Sequence, residues 1–150
     1  MSTSTDQLIL IVVGAHLRAE TGDRPLAYLL RQRMLEWLGE GEGDGQYGGS
    51  VVVCSDVWYL NREELRSRPA ISVGGPGVNA FSAFLADKLP SAFSIEGVLL
   101  VQLDLDFEDR LACVWGMDHA STVSAVDAFI ERYLDDFMTA AVADREDDED

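Results

Sequence analysis

Apolar and polar positions along the first part of the chain change from one period to another, and each change predicts a new element. Residues 8–15 (LILIVVGA) form a continuous apolar run of strand length, which is typical of a parallel strand covered on both faces. Pro25 then opens a segment in which apolar residues recur at helical spacing up to Gly39, and this spacing predicts the first helix. The intervening segment, HLRAETGDR, is predicted to be a loop.

The middle of the chain predicts a connection followed by two further strands. Residues 39–49 (GEGEGDGQYGG) contain almost nothing to bury and predict a surface connection. Residues 50–60 (SVVVCSDVWYL) predict a second buried strand, and Asn61 is placed to cap a short helix after it. Residues 71–73 then alternate apolar, polar and apolar, as in a third strand.

The second half predicts a helix, an antiparallel pair of strands and a long final helix. Residues 78–89 carry an apolar stripe that ends at Pro90. Two strand patterns, residues 95–105 and 110–115, are joined by a connection short enough to require antiparallel pairing. The final helix has a predicted core face made of Val123, Val126, Ile130, Tyr133, Leu134, Phe137, Met138 and Ala141.

This order of elements predicts an α/β fold, a three-layer sandwich with a mostly parallel sheet and one antiparallel hairpin strand. Residues 1–143 are the expected single domain, because 150 residues is an ordinary size for one. Residues 144–150 (DREDDED) are a run of mostly like charges and are predicted to be a disordered acidic tail.

The charge balance limits the possible partners. The chain has 27 Asp and Glu residues against 11 Lys and Arg residues, which gives a formal net charge of −16. Nucleic acids and anionic membrane surfaces are themselves negative, so neither is an expected partner. The charge is interpreted as a contribution to solubility or as a docking surface for a basic partner. The N-terminus lacks the basic region of a secretory signal, so we predict a cytoplasmic protein.

Cysteine and carboxylate spacing gives no metal signature. Cys54 and Cys113 lie far apart in apolar runs and are predicted to be buried free thiols. The two histidines lack the spacing of a metal-binding helix, so no metal or cofactor is expected. Asp104 and Asp106 share one face of a predicted strand and are interpreted as its solvated side rather than as ligands of a divalent ion.

The candidate site follows from the fold class. In open α/β sheets ligands bind outside the carboxyl ends of the strands, and four loops of this chain are expected at that edge. The candidate ligand-binding residues there are Gly74, Gly75, Gly77, Asn79, Asp56, His16, Asp118 and His119.

Two kinds of chemistry are open at this edge. The glycine-rich loop, residues 74–77, precedes a helix whose free N–H groups would point back at it, which is the geometry of an anion seat and also of a tight turn. It lacks both the Gly-Lys-Ser/Thr ending of a phosphate loop and the G-x-G-x-x-G fingerprint. Asp118 is a good helix cap, whereas His16 and His119 are candidate acid–base groups, because histidine is the side chain best suited to proton transfer near neutral pH.

The second half of the chain carries a resemblance. The string ISVGGPGVN, residues 71–79, is followed by VWGMD, residues 114–118, with Thr122 and Ala125 opening a helix. These residues resemble the V-G-G-P-x-x-N and G-x-D-x-x-x-T-x-x-A signature of α/β domains in archaeal surface-layer and related proteins. The resemblance implies a structural or assembly role and no catalytic residues.

We therefore expect a non-catalytic α/β binding or assembly module, which engages a protein partner or a small anionic ligand at the loop edge of the sheet. A homo-oligomer is compatible with this expectation. The alternative is a small hydrolase or transferase acting on a phosphorylated or nucleotide substrate, with His16, Asp56 or His119 as its acid–base groups. That alternative requires these groups to lie in one pocket with Gly77.

Overall fold

Six strands form a mixed sheet between two layers of helices. The computed structural model describes residues 8–39 and 50–149, with side chains up to residue 143. The strands are β1 (Ile9–Val13), β2 (Val51–Ser55), β3 (Ala70–Val73), β4 (Ser91–Ile95), β5 (Leu99–Leu103) and β6 (Leu111–Gly116). The helices are α1 (Arg24–Trp37), α2 (Asp56–Leu60), α3 (Ala80–Leu85), α4 (His119–Arg132) and α5 (Leu134–Glu149), with a π-helical turn at Ala19–Asp23 and a 3-10 turn at Glu63–Leu65.

The strand order across the sheet is β2-β1-β3-β6-β5-β4. Strands β2, β1, β3 and β6 pair in parallel, and Ile11 of β1 lies opposite Val53 on one side and Ile71 on the other. Strand β5 is antiparallel to both of its neighbours, so β4 again runs in the direction of the parallel set. The predicted α/β class, with a mostly parallel sheet and one antiparallel strand, is confirmed.

Strand β1 is buried on both faces, which explains its continuous apolar sequence. Ile9, Ile11 and Val13 belong to a core shared with α1, α4 and α5, whereas Leu10 and Val12 belong to a second core shared with α2 and α3. All five side chains are fully buried. Since a strand alternates its side chains between faces, only a sandwiched strand needs apolar residues at every position.

The two helical layers are unequal. The layer with α1, α4 and α5 contains helices of 14, 14 and 16 residues. The opposite layer contains α2 with 5 residues and α3 with 6. On that side Leu100 and Trp115, which pair across β5 and β6, are only half-buried. The sheet is therefore incompletely covered where β6 and β5 meet the loop edge.

The segment predicted as the loop HLRAETGDR is helical, which corrects the sequence interpretation. Leu17 and Arg18 begin a helix that passes through the π-helical turn into α1. His16 caps it, because its Nδ1 accepts a hydrogen bond from the Arg18 N–H (3.1 Å) and its carbonyl accepts one from the Ala19 N–H (2.9 Å). Histidine is not among the usual capping residues, so this cap could not be recognised from the residue type.

The strand predicted over residues 50–60 ends at Ser55. Its hydroxyl oxygen accepts a hydrogen bond from the Trp58 N–H (3.1 Å), and this cap starts α2 inside the apolar run. Asn61 follows that helix instead of beginning one, because its amide donates to the Val57 carbonyl (2.9 Å).

The helix predicted over residues 78–89 is shorter, because Asn79 caps it and α3 begins at Ala80. Strand β4 was not predicted. It is short and partly exposed, and it turns into β5 through Gly97, which has a φ of +74°. The pattern over residues 95–105 therefore spans a hairpin turn before it reaches β5. The predicted connection over residues 39–49 lies, apart from Gly39, outside the described residues.

The long final helix breaks at Tyr133. This residue leaves helical geometry (φ −129°), while its N–H still donates to the Phe129 carbonyl (2.8 Å). The core face of α4 also differs from the predicted one, because Phe129 is fully buried and Ile130 only partly so. Helix α5 is assigned through Glu149, and the side chains of the predicted acidic tail lie outside the described part of the chain, so the disordered tail stays a prediction.

Candidate functional site

A cavity of about 630 Å³ opens beside the carboxyl ends of β3 and β6. Three segments line it: residues 21–23 of the π-helical turn, residues 75–78 of the glycine-rich loop, and residues 115–119 between β6 and α4. Arg18 and Thr122 complete the wall. This loop-edge cavity lies where the carboxyl-edge rule for α/β sheets places a ligand site.

Gly74 begins the glycine-rich loop under two constraints. Its φ is +111°, a backbone angle that residues with a side chain rarely adopt. Its N–H donates to the Val114 carbonyl (3.0 Å), and this bond connects the loop to β6. The carboxyl group of Asp23 occupies the space that a Cβ at Gly74 would need. The close approach of Asp23 to the loop therefore depends on glycine at this position.

The N–H groups at the start of α3 are not free, in contrast to the sequence interpretation. Asn79 Oδ1 accepts from the N–H groups of Phe81 (2.9 Å) and Ser82 (3.2 Å). Asp56 Oδ2 accepts from the Ala80 N–H (2.7 Å). An anion cannot bind at this helix end without displacing these side chains.

Two backbone donors of the loop remain available to the cavity. Among the hydrogen bonds of the described residues, none uses the N–H of Gly75 or the N–H of Gly77. Gly77 is exposed, and a Cβ there would meet nothing within 4 Å, so the loop leaves open space beside this residue.

Asp56 is a structural residue and not part of the cavity wall. Its carboxylate is buried and accepts hydrogen bonds from the N–H groups of Ala15 (3.0 Å), Val57 (2.7 Å) and Ala80 (2.7 Å). One side chain thus holds together the segments that follow β1, β2 and β3. All three of these hydrogen bonds come from backbone N–H groups.

Asn79 is also fixed within the fold. It is buried, and its Nδ2 donates to the carbonyls of Val12 (3.2 Å) and Val73 (3.0 Å) at the ends of two neighbouring strands. His16 caps the first helix and does not line the cavity. Of the eight predicted ligand-binding residues, the structure brings together Gly75, Gly77, Asp118 and His119.

The joint between β6 and α4 accounts for the second half of the sequence signature. Asp118 Oδ1 accepts from the Ser121 hydroxyl (2.6 Å) and the Ser121 N–H (2.8 Å), and these bonds lower the pKa of Asp118. The Thr122 hydroxyl accepts from the Gly116 N–H (3.1 Å) and donates to the Asp118 carbonyl (2.9 Å). A side chain at Gly116 would meet the backbone of α4, and Ala125 is fully buried. The signature residues therefore build a tight strand-to-helix joint.

Asp23 is a cavity residue that sequence reasoning missed. It is half-buried, and burial raises the pKa of its carboxyl group, while the nearby His119 acts in the opposite direction. The His119 ring lies beside Gly22. Its Nδ1 is 3.3 Å from the position that a Cβ at residue 22 would occupy. The pair Gly22-Asp23 was visible in the sequence, but it lay in a segment predicted to be a loop. Asp23 was therefore not considered as a site residue.

Arg18 is the cation of the cavity wall. It is exposed, and within the described residues its guanidinium group has no hydrogen bond or ion pair. The chain has a net charge of −16, so an arginine beside a cavity that forms no ion pair is a notable source of positive charge.

Trp115 forms the boundary between this cavity and a second, smaller one. Its ring packs against Gly75, with Cε3 lying 3.2 Å from the position of a Cβ built there. The smaller cavity has a volume of about 230 Å³ and is lined by residues 94–100, Trp115 and Met117. We call it the hairpin groove, because residues 94–100 include the turn between β4 and β5 and the adjacent strand ends.

The remaining candidates have structural roles. Asp104 lies in the turn after β5, where its carboxylate accepts from the N–H groups of Asp109 and Asp106 (both 3.0 Å), and these bonds lower the pKa of Asp104. This corrects the interpretation of Asp104 and Asp106 as one face of a strand. Cys54 and Cys113 are buried and free, and burial raises their pKa values to about 12 and about 11.

Within residues 8–39 and 50–149, no group of three or more His, Cys, Asp or Glu side chains is arranged to hold a metal ion. In the same ranges, no helix has the length and apolar character that crossing a membrane requires.

Fold and cavity together define a three-layer α/β protein with an open cleft at the carboxyl edge of its sheet. Comparison of the chain with protein-family models, with curated proteins and with solved structures finds no match.

Proposed function

We propose that this chain is a non-catalytic α/β binding module that takes a small anionic ligand into the loop-edge cavity. One observation carries the proposal. Arg18, which forms no ion pair among the described residues, lies on the same cavity wall as Gly75 and Gly77, whose N–H groups no hydrogen bond of the described residues uses. A guanidinium group and backbone N–H groups are the donors that bind carboxylates and phosphates in proteins.

Two carboxylates, Asp23 and Asp118, line the same cavity. Oδ1 of Asp118 accepts two hydrogen bonds from Ser121, and these bonds lower the pKa of Asp118. An anion in this cavity must therefore bind close to Arg18, where attraction to the guanidinium group outweighs repulsion from the two carboxylates.

Titration with phosphate, sulfate, acetate and a panel of nucleotides, followed by calorimetry and by thermal unfolding, tests the proposal. We expect at least one anion to bind and to raise the unfolding midpoint. Arg18→Gln should weaken that binding about tenfold, the scale of a lost charged hydrogen bond. Arg33→Gln is the matched control, because Arg33 is an exposed arginine of α1 outside the cavity.

Gly77→Val provides an independent test. The valine side chain would enter open space, so we expect it to obstruct the cavity while it changes stability little. Loss of anion-induced stabilisation in this variant supports the proposal. If no anion in the panel stabilises the wild-type protein, the small-ligand form of the proposal fails and a protein partner at the same edge becomes the better candidate.

A protein partner is supported by the rim of the cavity. Leu17 and Met117 are among the most exposed large apolar side chains of the described residues, and both lie at the loop edge. An assembly role, as the resemblance to surface-layer domains implies, would use such a rim. In that case Met117→Asp should abolish complex formation while Arg18→Gln leaves it intact.

A second candidate function, phosphate-ester hydrolysis or transfer, is favoured by one observation, the proximity of Asp23 and His119 in the cavity. The groups named from the sequence do not support it as a set, because His16 and Asp56 lie outside the cavity wall. Assays with p-nitrophenyl phosphate and nucleotides decide between the two functions. Turnover that disappears in the His119→Ala variant would show that the chain is an enzyme and not a non-catalytic binding module.

A further inference from the structure

We infer that the ligand is an amphipathic anion, with its charged head in the loop-edge cavity and an apolar tail in the hairpin groove. This inference rests on the proposed function and names the class of ligand. The supporting geometry is continuity: Trp115 and Met117 line both cavities, so a ligand can pass from one to the other along these two side chains.

The hairpin groove has apolar side chains that nothing in the described chain covers. Met117 is 66% exposed, Ile95 is 48% exposed and Val98 is 39% exposed, and all three line the groove. Covering these side chains with an apolar tail removes apolar surface from water, which is favourable.

The charges set the orientation of the ligand. Glu96 is the charged residue among those that line the hairpin groove, and its carboxylate would repel an anionic head there. The other cavity, beyond Trp115, also has carboxylates on its wall, but Arg18 is the one Arg or Lys among the residues that line the two cavities. The head is therefore expected at Arg18 and the tail at Val98.

The groove follows from the unequal helical layers. Helices α2 and α3 cover β1 and β3 on their side of the sheet but end before β5, where Leu100 is left half-buried. A tail in the groove would take the place of the missing helical cover at this corner. The groove is thus a consequence of the fold and needs no rearrangement to form.

A straight-chain alkanoate is the simplest ligand with this chemistry, and it is favoured over a second copy of the chain. Each copy carries a net charge of −16, so pairing through this corner would work against strong repulsion. An alkanoate brings a single charge to the cavity with Arg18. We therefore take an acyl chain that ends in a carboxylate as the occupant.

Calorimetric titration with acetate, butanoate, hexanoate and octanoate tests the inference. We expect the Kd to fall about fourfold for each added methylene until the groove is filled, which corresponds to the burial of one CH₂ group. Octanol and octylammonium are the matched probes for the head. Both should bind at least tenfold more weakly than octanoate.

Two exposed apolar residues give a matched pair of variants. Val98→Asp should abolish the dependence on chain length and leave the Kd for acetate unchanged. Leu105→Asp should change neither, because Leu105 is also exposed but lies in the turn at the other end of β5. Arg18→Gln should weaken the binding of all chain lengths by the same factor.

The outcomes separate this inference from the proposed function. If acetate or phosphate binds and the Kd is independent of chain length, the amphipathic ligand is wrong and the anion-binding module stands. If neither short nor long anions bind, both fail. If sedimentation shows a dimer that Val98→Asp dissociates, while octanoate binds no better than acetate, a second copy occupies the groove and the inference is overturned.

Discussion

Asp56 shows how far a residue type alone can mislead. In the sequence it stands beside Cys54 and Ser55 at the end of a strand, where a carboxylate is a reasonable acid–base candidate. In the structure its three hydrogen bonds all come from backbone N–H groups. Two of those donors belong to distant segments, so no local pattern could reveal its role. Capping and catalysis use the same residue types, and only the positions of the partners separate them.

Asp56→Ala should destabilise the protein strongly. The change leaves three backbone donors without an acceptor near the core, and we expect a loss of about 3 kcal/mol or more in the free energy of unfolding. Urea denaturation measures it, with Asp106→Ala as the control because Asp106 is exposed. A loss similar to that of the control would show that water replaces the carboxylate at little cost.

Asp23 and Asp118 should respond to amide substitution with opposite signs. The folded-state pKa of Asp23 is raised by burial, so its ionisation costs stability as the pH rises through that pKa, and Asp23→Asn should raise the unfolding midpoint at pH 7. The pKa of Asp118 is lowered by Ser121, so its stabilising contribution is present at pH 7, and Asp118→Asn should lower the midpoint.

Thermal unfolding as a function of pH checks both signs. Below the folded pKa of Asp118, each variant should approach the wild-type midpoint, because the carboxyl groups of Asp23 and Asp118 are then neutral. A lower midpoint for Asp23→Asn at pH 7 would mean that the Asp23 carboxylate is held by attraction to His119 more than it is opposed by burial. That result would favour the Asp23–His119 pair as a functional unit.

At the scale of elements, predictions succeeded where the signal was local and failed where a distant contact decided the outcome. Helix α1 was recognised from Pro25 and the spacing of its apolar residues. The break between α4 and α5 was not, because the helical period continues through it. The Tyr133 hydroxyl donates to the Ala92 carbonyl in β4 (3.1 Å), a contact 41 residues away that no window of sequence contains.

The core face of α4 differs from the predicted one, and the difference has a measurable effect. Phe129→Ala should cost about 3–5 kcal/mol, because the ring is fully buried and packs against Phe137 with centroids 5.8 Å apart. Ile130→Ala, one residue further on, should cost about 1 kcal/mol, because that side chain is only partly buried. Urea denaturation compares them, and equal losses would contradict this assignment of the core face.

At the scale of the whole molecule, the order of elements was sufficient for the fold class. The site was predicted less well. The carboxyl-edge rule placed the cavity, and Gly75, Gly77, Asp118 and His119 line it. Asp56 and Asn79 were misinterpreted, because buried polar residues at strand ends look the same in sequence as ligand-binding ones. Arg18 was near the predicted edge but was left out of the candidate set, because its lack of a partner is visible only in three dimensions.

The net charge should make stability depend on salt. At −16 per chain, repulsion between carboxylates opposes the compact state, and salt shortens its range from about 10 Å at 0.1 M to about 3 Å at 1 M. We expect the unfolding midpoint to rise steadily from 0.05 M to 1 M KCl. An unchanged or falling midpoint would show that ion pairs outweigh repulsion in this chain.

The three bonds of Asp56 also bear on how the chain reaches its native state. Ala15 and Asp56 are 41 residues apart, and Asp56 and Ala80 are 24 apart, so both bonds wait until β1, β2 and β3 are aligned. Contacts of such long sequence separation form late and slow the search for the native topology. We therefore expect the amide hydrogens of Ala15 and Ala80 to exchange with solvent together, because one carboxylate accepts from both of them.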